Sequence, residues 1–211
     1  MTELERETAR VLAACARSLF RRGYSFGTAG NLSAKAGDII LVSPTNSSFE
    51  DLDEDSFAMV DQAGTRRNEK VPSKEVHFHL AIYDARPDAG AVVHLHSTYA
   101  TALACLQHDG AGEILPVFTP YFAMRIPCLP VAPYLPPGHP ELAREVRLAA
   151  QRSPAMLLKN HGPVTAGRTT REASALAEEL EEQCRLYFLL GDRGERLTAE
   201  QIAVLRGGSA R

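Results

Sequence analysis

The chain carries no surplus of positive charge. Lys and Arg number 23 against 26 Asp and Glu, for a net charge of -3 and a pI near 6.2. Aromatics make up only 7% of residues and are not interleaved with basic ones, so a nucleic-acid partner is not expected. No apolar run is long enough to span a bilayer, so a membrane partner is not expected either. The opening residues Met1-Thr2-Glu3-Leu4-Glu5-Arg6-Glu7 are acidic and polar, unlike a secretory leader, and a cytoplasmic protein is the expectation. The four cysteines, Cys15, Cys105, Cys128 and Cys184, form no Cys-x-x-Cys pair. Each lies among apolar neighbours and reads as a reduced core thiol. Repeats, linkers and low-complexity tracts are missing as well. The 211 residues, 45% of them hydrophobic, therefore predict one domain with a sizeable core.

Local signals predict helices over 2–22, 97–106, 141–151 and 198–205, one that starts at Pro72-Ser73-Lys74-Glu75 and is ended by Arg86-Pro87-Asp88, and a long late one capped at Thr169. Thr2-x-x-Glu5 and Thr169-x-x-Glu172 are capping signatures. Leu4, Val11, Leu12, Cys15 and Leu19 form the apolar stripe expected of the first helix. Ala173, Leu176, Ala177, Leu180, Cys184, Tyr187 and Phe188 form that of the long late helix. The glutamates at 178, 179, 181 and 182 on its other face predict a solvated surface. Strands are expected over 39–42, 57–60, 91–96 and 155–158. The proline-rich stretch 113–140 reads as edge strands and shaped loops, and residues 206–211 as a frayed tail. The sum is a single α/β domain, a sheet flanked by helices.

Ala91-Val92-Val93-His94-Leu95-His96 carries the chemistry. Alternation on a strand sends Val92, His94 and His96 to one face and Val93 and Leu95 to the other. Two imidazoles buried on one face beside valines need a partner, and a metal ion supplies one through neutral ring nitrogens. His161 follows another apolar strand, and Glu75 opens the helix before the His-x-His segment. Three imidazoles and a carboxylate suffice to hold a zinc-like ion and keep it reactive. His77 and His79 would exceed the four positions zinc usually takes and are set aside as ligands. His108 and His139 lie in polar, turn-like segments and read as solvent-facing.

Around these residues the chain resembles the class II aldolase/adducin family, in its zinc-dependent fuculose-phosphate-aldolase branch. The resemblance runs through Thr28-Ala29-Gly30-Asn31-Leu32-Ser33, Ser43-Pro44-Thr45, Pro72-Ser73-Lys74-Glu75, Arg86-Pro87-Asp88-Ala89, the His-x-His strand, Ala132-Pro133-Tyr134 and Asn160-His161-Gly162, in the family's order. It implies the class II aldolase fold, with a mostly antiparallel central sheet. It also implies Zn2+ held by His94, His96 and His161, with Mn2+ or Co2+ as other fitting ions. Glu75 would be a ligand at rest and the proton carrier once substrate displaces it. A cyclic homotetramer with active sites between subunits is implied too.

The same resemblance implies a sugar-phosphate substrate bound by Gly30, Asn31, Thr45, Asn46, Ser73 and Lys74. Physical reasons support that set independently. Glycine admits an anion close to the backbone, hydroxyl and amide groups donate to phosphate, and a helix N-terminus favours negative charge. Ser73 also reads as a plain helix cap, Ser47 and Ser48 as turn residues, and Lys74 as a surface lysine. Thr45-Asn46 stands where the aldolase pattern has Thr-Gly, and Ser73-Lys74 where it has Ser-Ser. The added lysine suits a second anion such as a carboxylate.

A metal-held α-hydroxy ketone can lose either an aldehyde or carbon dioxide from the hydroxyl-bearing carbon. Both routes leave the same metal-bound enediolate of dihydroxyacetone phosphate. Phe118-Thr119-Pro120-Tyr121-Phe122-Ala123-Met124, Pro133-Tyr134-Leu135-Pro136-Pro137-Gly138 and Pro72-Ser73-Lys74-Glu75 are similar to the branch that decarboxylates 3-oxo-tetronate 4-phosphates. Carbon dioxide loss, with Glu75 or Tyr121 returning the proton, is therefore the expected reaction. The alternatives are an aldolase acting on L-fuculose 1-phosphate or a similar sugar phosphate, and a pentulose-phosphate epimerase, whose branch has aspartate at the Glu75 position. A non-catalytic adducin-like interaction domain would be marked by loss of the histidine triad, which is intact here.

Overall fold

Among the described residues seven strands form one sheet in the order β3-β2-β1-β4-β7-β6-β5. They are β1 (Asn31–Ala36), β2 (Ile39–Val42), β3 (Ala58–Asp61), β4 (Ala91–His94), β5 (Val131–Ala132), β6 (Ala155–Leu158) and β7 (Gly162–Gly167). Neighbours are antiparallel except β5 and β6, which run parallel. The computed structural model describes residues 1–107 and 114–207. His108 and the last four residues of the expected frayed tail lie outside them.

Both faces of the sheet are covered. On one, α2 (Val76–Ala85) and α5 (Pro140–Arg152) enclose Ile40, Val42, Val92, Met156 and Val164. On the other, α1 (Glu3–Arg21) and α6 (Thr170–Leu190) cover Leu32, Leu41, Ala91, Val93 and Leu95. Further along, α3 (Thr98–Cys105), α4 (Pro120–Arg125) and α6 enclose Ala155 and Leu157. The central strand β4 is buried along its whole length, so Ala91-Val92-Val93 is a continuous apolar run up to His94. Its alternation is as expected: Val92 lies in one core and Val93 and Leu95 in the other.

The capping box of Thr2 and Glu5 is present, and Thr169 accepts from the Glu172 amide. Several sequence expectations need correction. In α1, Leu4 and Val11 are exposed, while Ala9, Leu12, Ala13, Ala16 and Leu19 face the sheet. Small alanines let that face lie close against the strands. The proline-rich stretch contains a helix, α4, with Thr119 as cap and Pro120 in its first turn. Of the cysteines only Cys184 is fully buried, and Cys105 is exposed. Arg206 is not frayed, for its guanidinium donates to the carbonyls of Ala123 and Ile126. Glu181, placed with the solvated glutamates, is buried. It accepts from Ser97 Oγ and from the amides of Tyr99 and Ala100, so it caps α3 from another helix. Among the described residues no helix is long and apolar enough to cross a membrane.

Candidate metal centre

His94 is the last residue of β4 and pairs with Asn31 at the start of β1. By alternation its ring lies on the face of Val92, edge-on to Phe78 of α2 at 5.5 Å between centroids. His96 follows two residues on. His161 sits at the tip of the β6–β7 hairpin, where Leu158 pairs with Gly162 and Asn160 takes a left-handed φ of 55°. Two close backbone approaches bring the pieces together. A Cβ on Gly162 would lie 2.3 Å from the Leu95 carbonyl oxygen. One on Gly30 would lie 2.8 Å from that of His94, at a φ of +86° that favours glycine.

The three Nε2 atoms converge. His94 Nε2 lies 3.1 Å from His96 Nε2 and 3.3 Å from His161 Nε2. Glu75 caps the approach: Oε2 is 3.4 Å from His94 Nε2, and Oε1 is 3.4 Å from His161 Nε2. Four ligands at zinc-like bond lengths on a tetrahedron stand about 3.3–3.4 Å apart, so these separations fit a small cation in the middle. Two further observations agree. Glu75 Oε1 is buried with no hydrogen-bond partner among the described residues, an arrangement that costs free energy unless a cation meets it. His94 Nδ1 lies 2.9 Å from the Pro163 carbonyl oxygen. Because that oxygen only accepts, Nδ1 carries the proton and Nε2 turns a lone pair toward the other rings.

Burial and the neighbouring imidazoles push the His94 pKa well below its ordinary value. Burial, then His161, takes His96 down to about 4. Burial lowers His161 against the pull of Glu75. The cluster therefore stays neutral at pH 7, as metal ligation requires. Among the described residues it is the one group of histidines, cysteines or carboxylates found close enough to hold a metal ion.

The other sequence-selected residues fall into two sets. Loops 43–47 and 71–75 are tied side by side by a bridge between Pro44 and Pro72 and by Thr45 N to Val71 O and Ser73 N to Ser43 O. Thr45, Asn46, Ser73 and Lys74 thus share one rim, with Asn46 at φ 59°. Ser73 is not the helix cap. That position belongs to Glu75, whose amide donates to Ser73 Oγ at 3.3 Å. Asn31 turns its amide inward, Nδ2 donating to Glu75 Oε2 at 2.8 Å and Oδ1 lying 2.5 Å from His79 Nε2. Tyr121 stands apart, 63% exposed on α4, a helix that packs on α6 and α7 (Ala199–Leu205). His139 caps α5 through Nδ1. Sequence reasoning gave His79 no role. Its i+4 spacing from Glu75 stacks the two on one helix face, but that spacing bears only on metal ligation and does not show Asn31 as its partner.

Two measurements probe this framework. Gly162→Ala is expected to cost about 1–3 kcal/mol of stability and to weaken metal binding, because the new methyl forces the His161 hairpin away from Leu95. Denaturant midpoints and a metal titration check both, and no change in either removes the hairpin from site assembly. The second concerns acid. Burial lowers the His79 pKa to about 3, whereas an unfolded histidine titrates near 6.5. Below pH 6.5 the unfolded chain takes up the proton first. Stability is then expected to fall by about 1.4 kcal/mol per pH unit from this residue until pH nears its folded value. Urea titrations of metal-free protein between pH 7.5 and 4 measure the slope, which His79→Gln should flatten by one proton's worth.

The sequence profile of the class II aldolase and adducin N-terminal domain matches residues 10–188. A 3-oxo-tetronate 4-phosphate decarboxylase of Escherichia coli K12 is 44% identical over 206 residues, 97% of each chain. One of Pectobacterium atrosepticum is 46% identical over 89% of this chain and 87% of its own. The L-fuculose phosphate aldolase of Escherichia coli K12 is 36% identical over 88% of this chain and 86% of its own. Among solved structures, YgbL of Escherichia coli superposes with a TM-score of 0.93 at 42% identity, covering 97% of this chain and all of that one. An L-fuculose 1-phosphate aldolase superposes at 0.86 with 29% identity, covering 95% of each chain.

Proposed function

Because the chain belongs to the class II aldolase and adducin N-terminal domain family, we propose that it is a metal-dependent carboxy-lyase. It converts a 3-oxo-tetronate 4-phosphate to dihydroxyacetone phosphate and carbon dioxide. The observation that carries the metal-dependent part is the convergence of His94, His96 and His161 beside the Glu75 carboxylate, whose Oε1 has no hydrogen-bond partner among the described residues. Full-length similarity to relatives named for this decarboxylation supports the choice of reaction over the lower similarity to an aldolase.

The proposed metal is Zn2+, held by His94, His96, His161 and, at rest, Glu75. When bound it supplies Lewis-acid polarisation of the substrate ketone and stabilises negative charge on the adjoining oxygens. The carboxylate lies β to that ketone, so breaking its bond to the hydroxyl-bearing carbon leaves the electron pair shared between that carbon and the ketone oxygen. Carbon dioxide departs, and one proton must return to the carbon. Glu75, released from its resting position, takes that proton up from solvent and delivers it. The Asn31 Nδ2 that held Glu75 is then free to donate to a substrate oxygen. Gly30, Thr45, Asn46 and Ser73 seat the phosphate, and the Lys74 ammonium faces the second anionic group. Tyr121, exposed within one subunit, reaches a reacting carbon only from a neighbouring subunit, which the proposed homotetramer would supply.

The test offers metal-loaded protein each of the two C2 enantiomers of 3-oxo-tetronate 4-phosphate, with carbon dioxide and dihydroxyacetone phosphate measured together. Equimolar release from one of them is expected. Rapid carbon-carbon bond formation from dihydroxyacetone phosphate and lactaldehyde, with no carbon dioxide from either keto acid, would replace the decarboxylase with an aldolase.

A further inference from the structure

We propose that His79 is a positioning residue for the metal centre: acting through Asn31, it dictates how the Glu75 carboxylate is presented. The inference rests on the metal-dependent reading of Glu75 but adds a group that touches neither metal nor substrate.

An unbroken buried chain runs behind the site. Tyr83 Oη lies 2.8 Å from Ser33 Oγ, and Ser33 Oγ lies 2.8 Å from His79 Nδ1. His79 Nε2 is 2.5 Å from Asn31 Oδ1, and Asn31 Nδ2 is 2.8 Å from Glu75 Oε2. His79 is fully buried, and Ser33 is too. The match comes from two periodicities. Asn31 and Ser33 are alternate residues of β1 and advance about 6.6 Å along it. Glu75, His79 and Tyr83 are spaced by four on α2 and advance about 6 Å per step. A strand row and a helix row of nearly equal pitch lie against each other and interleave.

The donor sense of every link is forced. A carboxylate only accepts, so Asn31 must turn its NH2 to Glu75 and its oxygen to His79. That oxygen only accepts, so the His79 proton is on Nε2. Nδ1 then accepts from the Ser33 hydroxyl, whose oxygen accepts from Tyr83. All donors point toward Glu75 Oε2, and among the described residues Oε1 has no hydrogen-bond partner. Flipping the Asn31 amide would set its oxygen against the carboxylate and its NH2 against the His79 N–H. The imidazole thus locks the amide, and the amide locks the carboxylate. The chain orients rather than conducts, because an amide does not give up its proton at neutral pH and blocks any relay from Tyr83.

The test titrates metal-free protein with Zn2+ and with Mn2+ by calorimetry and records thermal unfolding of each metal-free variant. His79→Leu fills similar space without a donor, while His79→Gln keeps an N–H where Nε2 stands. His79→Leu is expected to weaken metal binding by about 10–100-fold, the usual cost of losing a supporting partner. His79→Gln should restore most of that affinity. At saturating metal, kcat should fall in His79→Leu more than KM rises. Wild-type affinity in folded His79→Leu overturns the inference, and so does an equal loss in the two variants, which would make the imidazole mere packing. Should His79→Leu fail to fold, Ser33→Ala decides. It unlocks the His79 tautomer and is expected to weaken metal binding several-fold, with no change overturning the inference. Failure of the decarboxylase reading is a separate result: a wild-type protein that binds metal and releases no carbon dioxide leaves the titrations fully interpretable.

Discussion

Replacing Glu75 with glutamine is expected to lower kcat for carbon dioxide release by about 10²–10⁴-fold, the usual contribution of a positioned acid or base. The fold should survive. Glu75 is buried, but its side chain accepts a hydrogen bond only from Asn31 among the described residues, and a glutamine oxygen accepts that bond equally well. What disappears is the negative charge facing His94 and His161 at 3.4 Å each and the group that can carry a proton. Thermal unfolding and a coupled assay for dihydroxyacetone phosphate, run on the same preparation, separate these effects. Near-normal turnover in a folded Glu75→Gln protein would remove this carboxylate from the mechanism and return the proton-transfer role to Tyr121 of a neighbouring subunit.

Replacing His94 with alanine is expected to abolish metal retention and activity together. His94 stands at the hub of the cluster, with Nε2 at 3.1 Å from His96, 3.3 Å from His161 and 3.4 Å from Glu75. Losing even an outer partner of a ligand costs about 10–100-fold in affinity, so losing this ligand should exceed about 100-fold. The variant also forfeits the bond to Pro163 and the edge contact with Phe78, and a stability loss of about 1–3 kcal/mol is expected from that packing. Elemental analysis of protein purified in parallel with wild type reads the first effect, and denaturant unfolding of metal-free protein reads the second. Full metal occupancy in His94→Ala would place the ion elsewhere and end the reading of this cluster.

Much of the protein was legible in its residues because covalent geometry alone ties spacing to direction. Alternation along β4 fixed which face His94 takes, and Thr2 and Thr169 marked helix starts through donors that every helix leaves unpaired. The chemistry of the site followed from residue type: imidazoles among valines need a partner wherever they sit. Tertiary structure decided what must come from far along the chain. His94 and His161 meet across 67 positions only because β7 inserts between β4 and β6. That strand is masked in the sequence by Gly162 at its start, Pro163 and Gly167 at its end. Glu181 is indistinguishable by local pattern from its exposed neighbours, yet it is buried because the start of α3, 81–84 positions away, needs an acceptor. His79 depends on a strand and a helix lying in register, and no spacing within either element reveals that. Local geometry is set by bonded neighbours and is written in short stretches of sequence. The order of strands and the partner of each buried polar group are set by how the whole chain fills space.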